Sequence, residues 1–225
     1  ENVFGSLEVS SDRVKDEDWS EIWKQYFHPI PVGEKILIKP AWEELSDSDG
    51  RTVFTVNPGL SFGTGSHPST RFCIEEIEKH LKQNDTVLDI GCGSGILSII
   101  ALLLGAKSAD ALDIDPNAVD VAYSNLALNN LPKDNYNAFY GNILEDEELK
   151  SSLGKYDIVI ANIVADVIIA LSSFVKQFMK ETSTFICSGI ILERLDEVTN
   201  ALTNAGLKIV EIRKDRDWAA ITCKF

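Results

Sequence analysis

Three glycines stand at alternate positions in "VLDIGCGSG": Gly91, Gly93 and Gly95. Such spacing lets the chain turn tightly and lets a ligand come close to backbone N–H groups. The pattern is G-x-G-x-G. A dinucleotide fingerprint needs G-x-G-x-x-G, which would put glycine at 96, where Ile96 stands. Asp113 closes the next apolar run, 22 residues after Gly91. A carboxylate placed there can accept both hydroxyls of a ribose. Its other role, a helix cap, is already filled by Asp115 before Pro116. Asn142, in "YGNIL", ends a third run and reads as either a partner for an adenine edge or a turn residue. Asn162, in "IVIANIVAD", ends a fourth. Alone it would read as an Asx turn; beside a nucleoside pocket its amide is suited to orient a reacting amine. The glycine turn with Asp113 points to a nucleoside-bearing ligand.

The elements that must hold these residues follow a β-α rhythm. "PSTRFCIEEIEKHLKQ" reads as a helix with Pro68 in its first turn. His67, just before it, is either a cap or a general base. "TVLDI" is a short buried strand, "ILSIIALLLGA" a buried helix ended by Gly105, and "ADALDI" a second strand. "DPNAVDVAYSNLALNN" is a helix capped by Asp115. "NAFYG" and "YDIVIANI" are the third and fourth strands, residues 165 to 180 a helix, "STFICSG" a fifth strand, and 193 to 204 a helix. "LKIVEIRKD" and "WAAITCKF" read as a terminal hairpin. The fold class is therefore α/β and Rossmann-like: a mainly parallel seven-stranded sheet with helices on both faces and an antiparallel C-terminal hairpin. Ligands bind such sheets at the carboxyl ends of the strands, where the four positions fall.

Ahead of this region lies "NPGLSFGTGSHPST", residues 57 to 70. Its glycines, at roughly 1 kcal/mol each in a regular element, make it a loop. Residues 1–56 have a different texture. Trp19, Ile22, Trp23, Tyr26 and Phe27 form an apolar stripe at helical spacing. "EKILIKPAW" and "RTVFTV" alternate like two strands of a hairpin turning at "SDSDG". The division is thus 1–56, a helix whose stripe packs on the main domain and a hairpin, and 57–225, the α/β domain.

Apolar residues make up 44% and charged residues 25% of the 225, enough for a sizeable core. The formal charge of −14 repels phosphate backbones, so direct nucleic-acid binding is not expected, while a basic partner is suited. Cys73, Cys92, Cys187 and Cys223 form no CxxC pair and no metal-ligand spacing, so no metal is expected. A reducing cytoplasm fits these cysteines. No apolar run reaches membrane-spanning length. The chain begins at Glu1, as a fragment of a longer protein would.

"FGTGSHPST", "DIGCGSGILSI", "LDIDPNAV", "ANI" and "CSGI" together resemble the bacterial ribosomal protein methyltransferases that modify protein eleven of the large subunit. The likeness runs from about Val14 to the C-terminus. Ser66 and Ser69 stand where threonine is frequent. The resemblance implies S-adenosyl-L-methionine (AdoMet) as cofactor, contacted by Thr70, Gly91, Asp113 and Asn162, with Gly93 and Asn142 completing the pocket. It implies that Phe62 helps close the site and that Asn162 is the catalytic residue. The expected partner is a basic ribosomal protein methylated at amino groups. Family members carry a small N-terminal α+β domain that grips this substrate, and "VKDEDWSEIWKQYF" resembles the helix that ties it on. Two other readings stay open: a methyltransferase for another protein or a small amine, and a nicotinamide oxidoreductase, which Ile96 and Asn162 disfavour.

Overall fold

The structure, a computed structural model, describes residues 27–57 and 65–225. The expected stripe from Trp19 to Tyr26 and the aromatic Phe62 lie outside them.

The first three strands, β1 (Ile30–Val32), β2 (Ile36–Pro40) and β3 (Thr52–Val56), form a small sheet. The expected hairpin between "EKILIKPAW" and "RTVFTV" is not formed. β2 and β3 run parallel, Ile36 opposite Thr52 and Pro40 opposite Val56. Alternation reports a half-buried strand but not its direction. Residues 41–51 carry the chain back along the sheet, so both strands start from the same end. The hairpin lies one strand earlier, where β1 and β2 pair antiparallel across Gly33. Gly33 has φ +58°, and both oxygens of Glu78 accept the next two backbone N–H groups, those of Glu34 and Lys35.

The main elements follow in order: α1 (Pro68–His80), β4 (Thr86–Ile90), α2 (Ile96–Leu103), β5 (Ser108–Asp113), α3 (Pro116–Leu128), β6 (Tyr136–Tyr140), α4 (Glu147–Ser152), β7 (Tyr156–Asn162), α5 (Ala165–Ser172), β8 (Met179–Ile191), α6 (Leu195–Asn204), β9 (Lys208–Asp215) and β10 (Trp218–Lys224). The helix expected over 165–180 ends at Ser172. The hydroxyls of Ser172 and Ser173 bond back to the carbonyls of Ile169 and Ala170, a competition that weakens helix continuation. A 3₁₀ turn, Val175–Phe178, then leads into β8, which extends well beyond "STFICSG" on both sides.

The large sheet has seven strands in the order β6-β5-β4-β7-β8-β10-β9. β10 is antiparallel to both neighbours, so the terminal hairpin forms as expected. Alternate residues divide the core. Val87, Ala109, Ala111, Ile158, Ile160 and Ile186 face α1, α2, α3 and the small sheet, sharing one cluster with Ile38, Phe54 and Val56. Leu88, Ile90, Leu112, Val159, Phe185 and Cys187 face α5 and α6. All four cysteines are buried free thiols. No helix among the described residues is long and apolar enough to cross a membrane.

Candidate active site

Strand order reverses between β4 and β7: the chain fills β5 and β6 on one side before crossing to β7 and β8 on the other. A cleft opens outside the carboxyl ends at such a point. Here its volume is about 400 Å³, and Gly91, Asp113, Ile114, Asn142, Ile163 and Val164 are among the residues that line it. Period-2 alternation puts Asp89, Asp113, Asn162 and Ser188 on the sheet face that α1 to α3 cover, each at or near the end of its own strand.

The glycine turn is built from backbone. Gly91, Gly93 and Gly95 all have positive φ. At Gly91 a Cβ would lie 2.3 Å from the Ile163 side chain, so the turn and the end of β7 touch only because no side chain stands between them. The N–H groups of Gly91 and Cys92 both donate to the Leu112 carbonyl, which ties the turn to β5. Gly95 precedes α2 and brings no side-chain cap of its own; the Asp89 carboxylate takes the first-turn Ser98 N–H at this positive helix end.

Asp113 is gripped from both sides. Its Oδ2 accepts the Gly93 N–H at 2.8 Å and its Oδ1 the Asp115 N–H at 2.9 Å. Each oxygen keeps a lone pair, and the carboxylate cannot rotate away. Asp115 caps α3 through the Asn117 N–H at 2.9 Å, so the helix cap expected of it is present. Asn142 Oδ1 accepts the Leu144 N–H at 3.1 Å. It is thus a turn residue that also lines the cleft, with Nδ2 left to donate.

At the end of β7, next to the cleft-lining Ile163 but not itself among the lining residues, Asn162 Nδ2 donates to Thr70 Oγ1 at 3.3 Å. Thr70 is fully buried in the first turn of α1. Gly189 has φ +82°, and a Cβ there would lie 2.6 Å from the Ile163 carbonyl and 3.2 Å from Asn162 Oδ1. His67 caps α1: Nδ1 accepts the Ser69 N–H at 3.2 Å, and the ring packs edge-on against Trp218. Burial lowers its pKa. The imidazole is committed to the helix end.

Asp89 escaped sequence reasoning. It is 1% exposed, beneath the glycine turn. Oδ2 accepts the Ser98 N–H at 3.1 Å, whereas Oδ1 has no hydrogen-bond partner among the described residues. Burial, with the nearby Asp113 charge adding to it, pushes its carboxyl up to about 6. A lone carboxylate inside the strand "TVLDI" was the available signal, since buried charges are paired or functional. Gly189, Ile114 and Ile163 gave no such signal, because their importance lies in contacts across strands. No cluster of metal-ligating side chains occurs among the described residues.

The chain is similar to proteins of one family over nearly its whole length. The family described as ribosomal protein L11 methyltransferase (PrmA) matches residues 2–225. The ribosomal protein L11 methyltransferase of Clostridium botulinum (strain Eklund 17B / Type B) is 43% identical over 216 residues, covering 96% of this chain and 67% of that protein. The crystal structure of ribosomal protein L11 methylase from Lactobacillus delbrueckii subsp. bulgaricus superposes with a TM-score of 0.80 at 30% identity, covering 88% of this chain and 98% of that one. Fibrillarin from Aeropyrum pernix, solved with natively bound S-adenosyl-L-methionine, shares the fold at TM-score 0.55 and 15% identity, over 64% of this chain and 68% of that one.

Proposed function

The chain belongs to the ribosomal protein L11 methyltransferase family, and from that premise we propose that this AdoMet-dependent enzyme methylates amino groups of ribosomal protein L11, at lysine side chains, the N-terminal α-amine or both. The observation that carries the site assignment is a doubly anchored carboxylate, Asp113, lining the cleft at the end of β5, together with the Thr70-bound amide of Asn162 at the end of β7.

The residues fit the cofactor. Gly91 leaves a cradle that a Cβ would fill. The orphaned oxygen of Asp89 supplies the negative potential that an α-ammonium offsets. AdoMet when bound supplies a methyl group already activated on a sulfonium, so the protein's work is position and exclusion of water. Asp113 holds the ribose hydroxyls. Gly91 and Gly93 bring backbone against the nucleoside, and Asn142 Nδ2 donates to the adenine edge. Thr70 fixes the Asn162 amide so that Oδ1 can accept an N–H of the incoming amine and aim its lone pair.

The acceptor must be neutral. A lysine amine near pKa 10.4 needs about 4.6 kcal/mol to stand neutral at pH 7, and an α-amine near 7.8 only about 1 kcal/mol. Burial in the cleft lowers both. The formal charge of −14 favours encounter with a basic substrate. Within the chain, 57–225 carries the chemistry and 1–56 the connection toward substrate recognition.

The test is methyl transfer from labelled AdoMet to purified L11, with the modified residues mapped by mass spectrometry. Label at L11 amino groups is expected. Transfer to small amines with none to L11 would replace the proposed substrate.

A further inference from the structure

We propose that Asn125 is a positioning residue for the cofactor, tying the glycine turn to strand β3 through the two ends of one buried amide. Asn125 lies in α3 and is 1% exposed. Its Nδ2 donates to the Ser94 carbonyl at 2.9 Å, inside the Gly93–Gly95 turn. Its Oδ1 accepts the Asn57 N–H at 3.4 Å, just beyond the end of β3. One helical turn later Asn129 faces the same strand. Asn129 Oδ1 accepts the Thr55 N–H at 2.7 Å and Nδ2 donates to the Thr55 carbonyl at 2.8 Å, as a neighbouring strand would. β3 thus pairs with β2 along one edge and with the Asn129 side chain along the other, while Asn125 holds the residue that follows it.

Only Asn125 also reaches the glycine turn, and only an amide serves there. The site needs a donor toward Ser94 and an acceptor toward Asn57. Aspartate would set an oxygen against the Ser94 carbonyl, and leucine would make neither bond. The held carbonyl belongs to the residue after Gly93, whose N–H donates to Asp113 Oδ2. Fixing Ser94 therefore fixes the aim of Gly93 at the carboxylate. Asn125 acts through these two residues without touching the cofactor. The inference rests on the cleft being the AdoMet site, which binding of S-adenosylhomocysteine to the wild-type protein checks independently.

The experiment titrates S-adenosylhomocysteine into wild type, Asn125→Ala and Asn129→Ala, and measures kinetics in both variants. Asn125→Ala should weaken binding about tenfold, as expected for one buried hydrogen bond. It should raise the KM for AdoMet similarly while kcat at saturating AdoMet stays within about twofold. Asn129→Ala, which loses its bonds to β3 but none to the turn, should lower the melting temperature at least as much yet leave affinity within about twofold. Asn125→Asp keeps the Asn57 bond and should weaken binding as the alanine does; it stands in if Asn125→Ala is too unstable to titrate. Wild-type affinity in the Asn125 variants, or equal weakening by Asn125→Ala and Asn129→Ala, would overturn the assignment.

Discussion

Between β4 and β6 the site is made of backbone, whereas between α1 and β9 the molecule is held by alternating charges. On the first side, Gly91 and the fixed carboxylate of Asp113 line the cleft, held by the Leu112 carbonyl and the Gly93 N–H. On the second, α1 presents Arg71, Glu75 and Lys79 four residues apart, and β9 presents Asp215, Arg213 and Glu211 two residues apart. Four helical residues rise about 6 Å and two strand residues about 6.6 Å, so the two series meet in register. Each pair is of opposite sign, and a slip by one rung would set like charges together. Beneath this ladder Glu76, 1% exposed, accepts the Thr222 hydroxyl at 2.7 Å and lies 3.5 Å from Arg213. The ladder places α1, and with it Thr70 against Asn162. In the proposed function, the first side recognises the cofactor and the second aims the Asn162 amide.

Breaking the recognition side should have the largest effect. Asp113→Ala should weaken S-adenosylhomocysteine by more than about 100-fold, the loss of charge-assisted bonds to two hydroxyls, while circular dichroism shows a folded protein. Unchanged affinity would remove the ribose assignment. Asn162→Ala should separate the sides most cleanly. Turnover should fall roughly 100-fold with affinity for S-adenosylhomocysteine within about threefold, because the amide acts on the acceptor's orientation. Wild-type turnover would make Asn162 a turn residue only.

Asp89 gives a pH test of the recognition side. Its carboxyl is raised from an ordinary 3.8 to about 6, chiefly by burial. The stability it contributes is therefore fully present below about 3.8 and is lost as pH rises through about 6. Asp89→Asn should raise the melting temperature of the cofactor-free protein at pH 8, by roughly 5–10 °C, yet weaken S-adenosylhomocysteine about tenfold. A lower melting temperature would mean that the charge is compensated in the free protein. The smallest effects belong to the ladder. Arg71→Ala should cost less than about 0.5 kcal/mol in chemical denaturation, as exposed pairs do. Arg213→Ala, which strips a cation from buried Glu76, should cost about 1–3 kcal/mol. Neither should change cofactor affinity more than about twofold, and a tenfold loss from Arg71→Ala would erase the division between the sides.

The recognition side was the more legible in sequence. Gly91, Gly93, Gly95 and the Asp115–Pro116 cap are local signals, each read within a few residues, and the strands around them appear where the apolar runs stand. The second side was not legible. Its partners lie more than 130 residues apart in the chain, and helical and strand periodicities are read separately. The parallel sense of β2 and β3 was hidden because alternation carries no direction. Asn125 and Asn129 read as ordinary residues near a helix end, since nothing local reveals that they line a strand edge. Thr70 and Asn162 were named singly; that one holds the other depends on the packing of α1 over β7 and β8.

The most direct test of the central claim, an AdoMet site spanning Asp113 and Asn162, is calorimetric titration with S-adenosylhomocysteine, with NADH as control. The account predicts one site for S-adenosylhomocysteine and none for NADH. Tight NADH binding with no S-adenosylhomocysteine binding would contradict it.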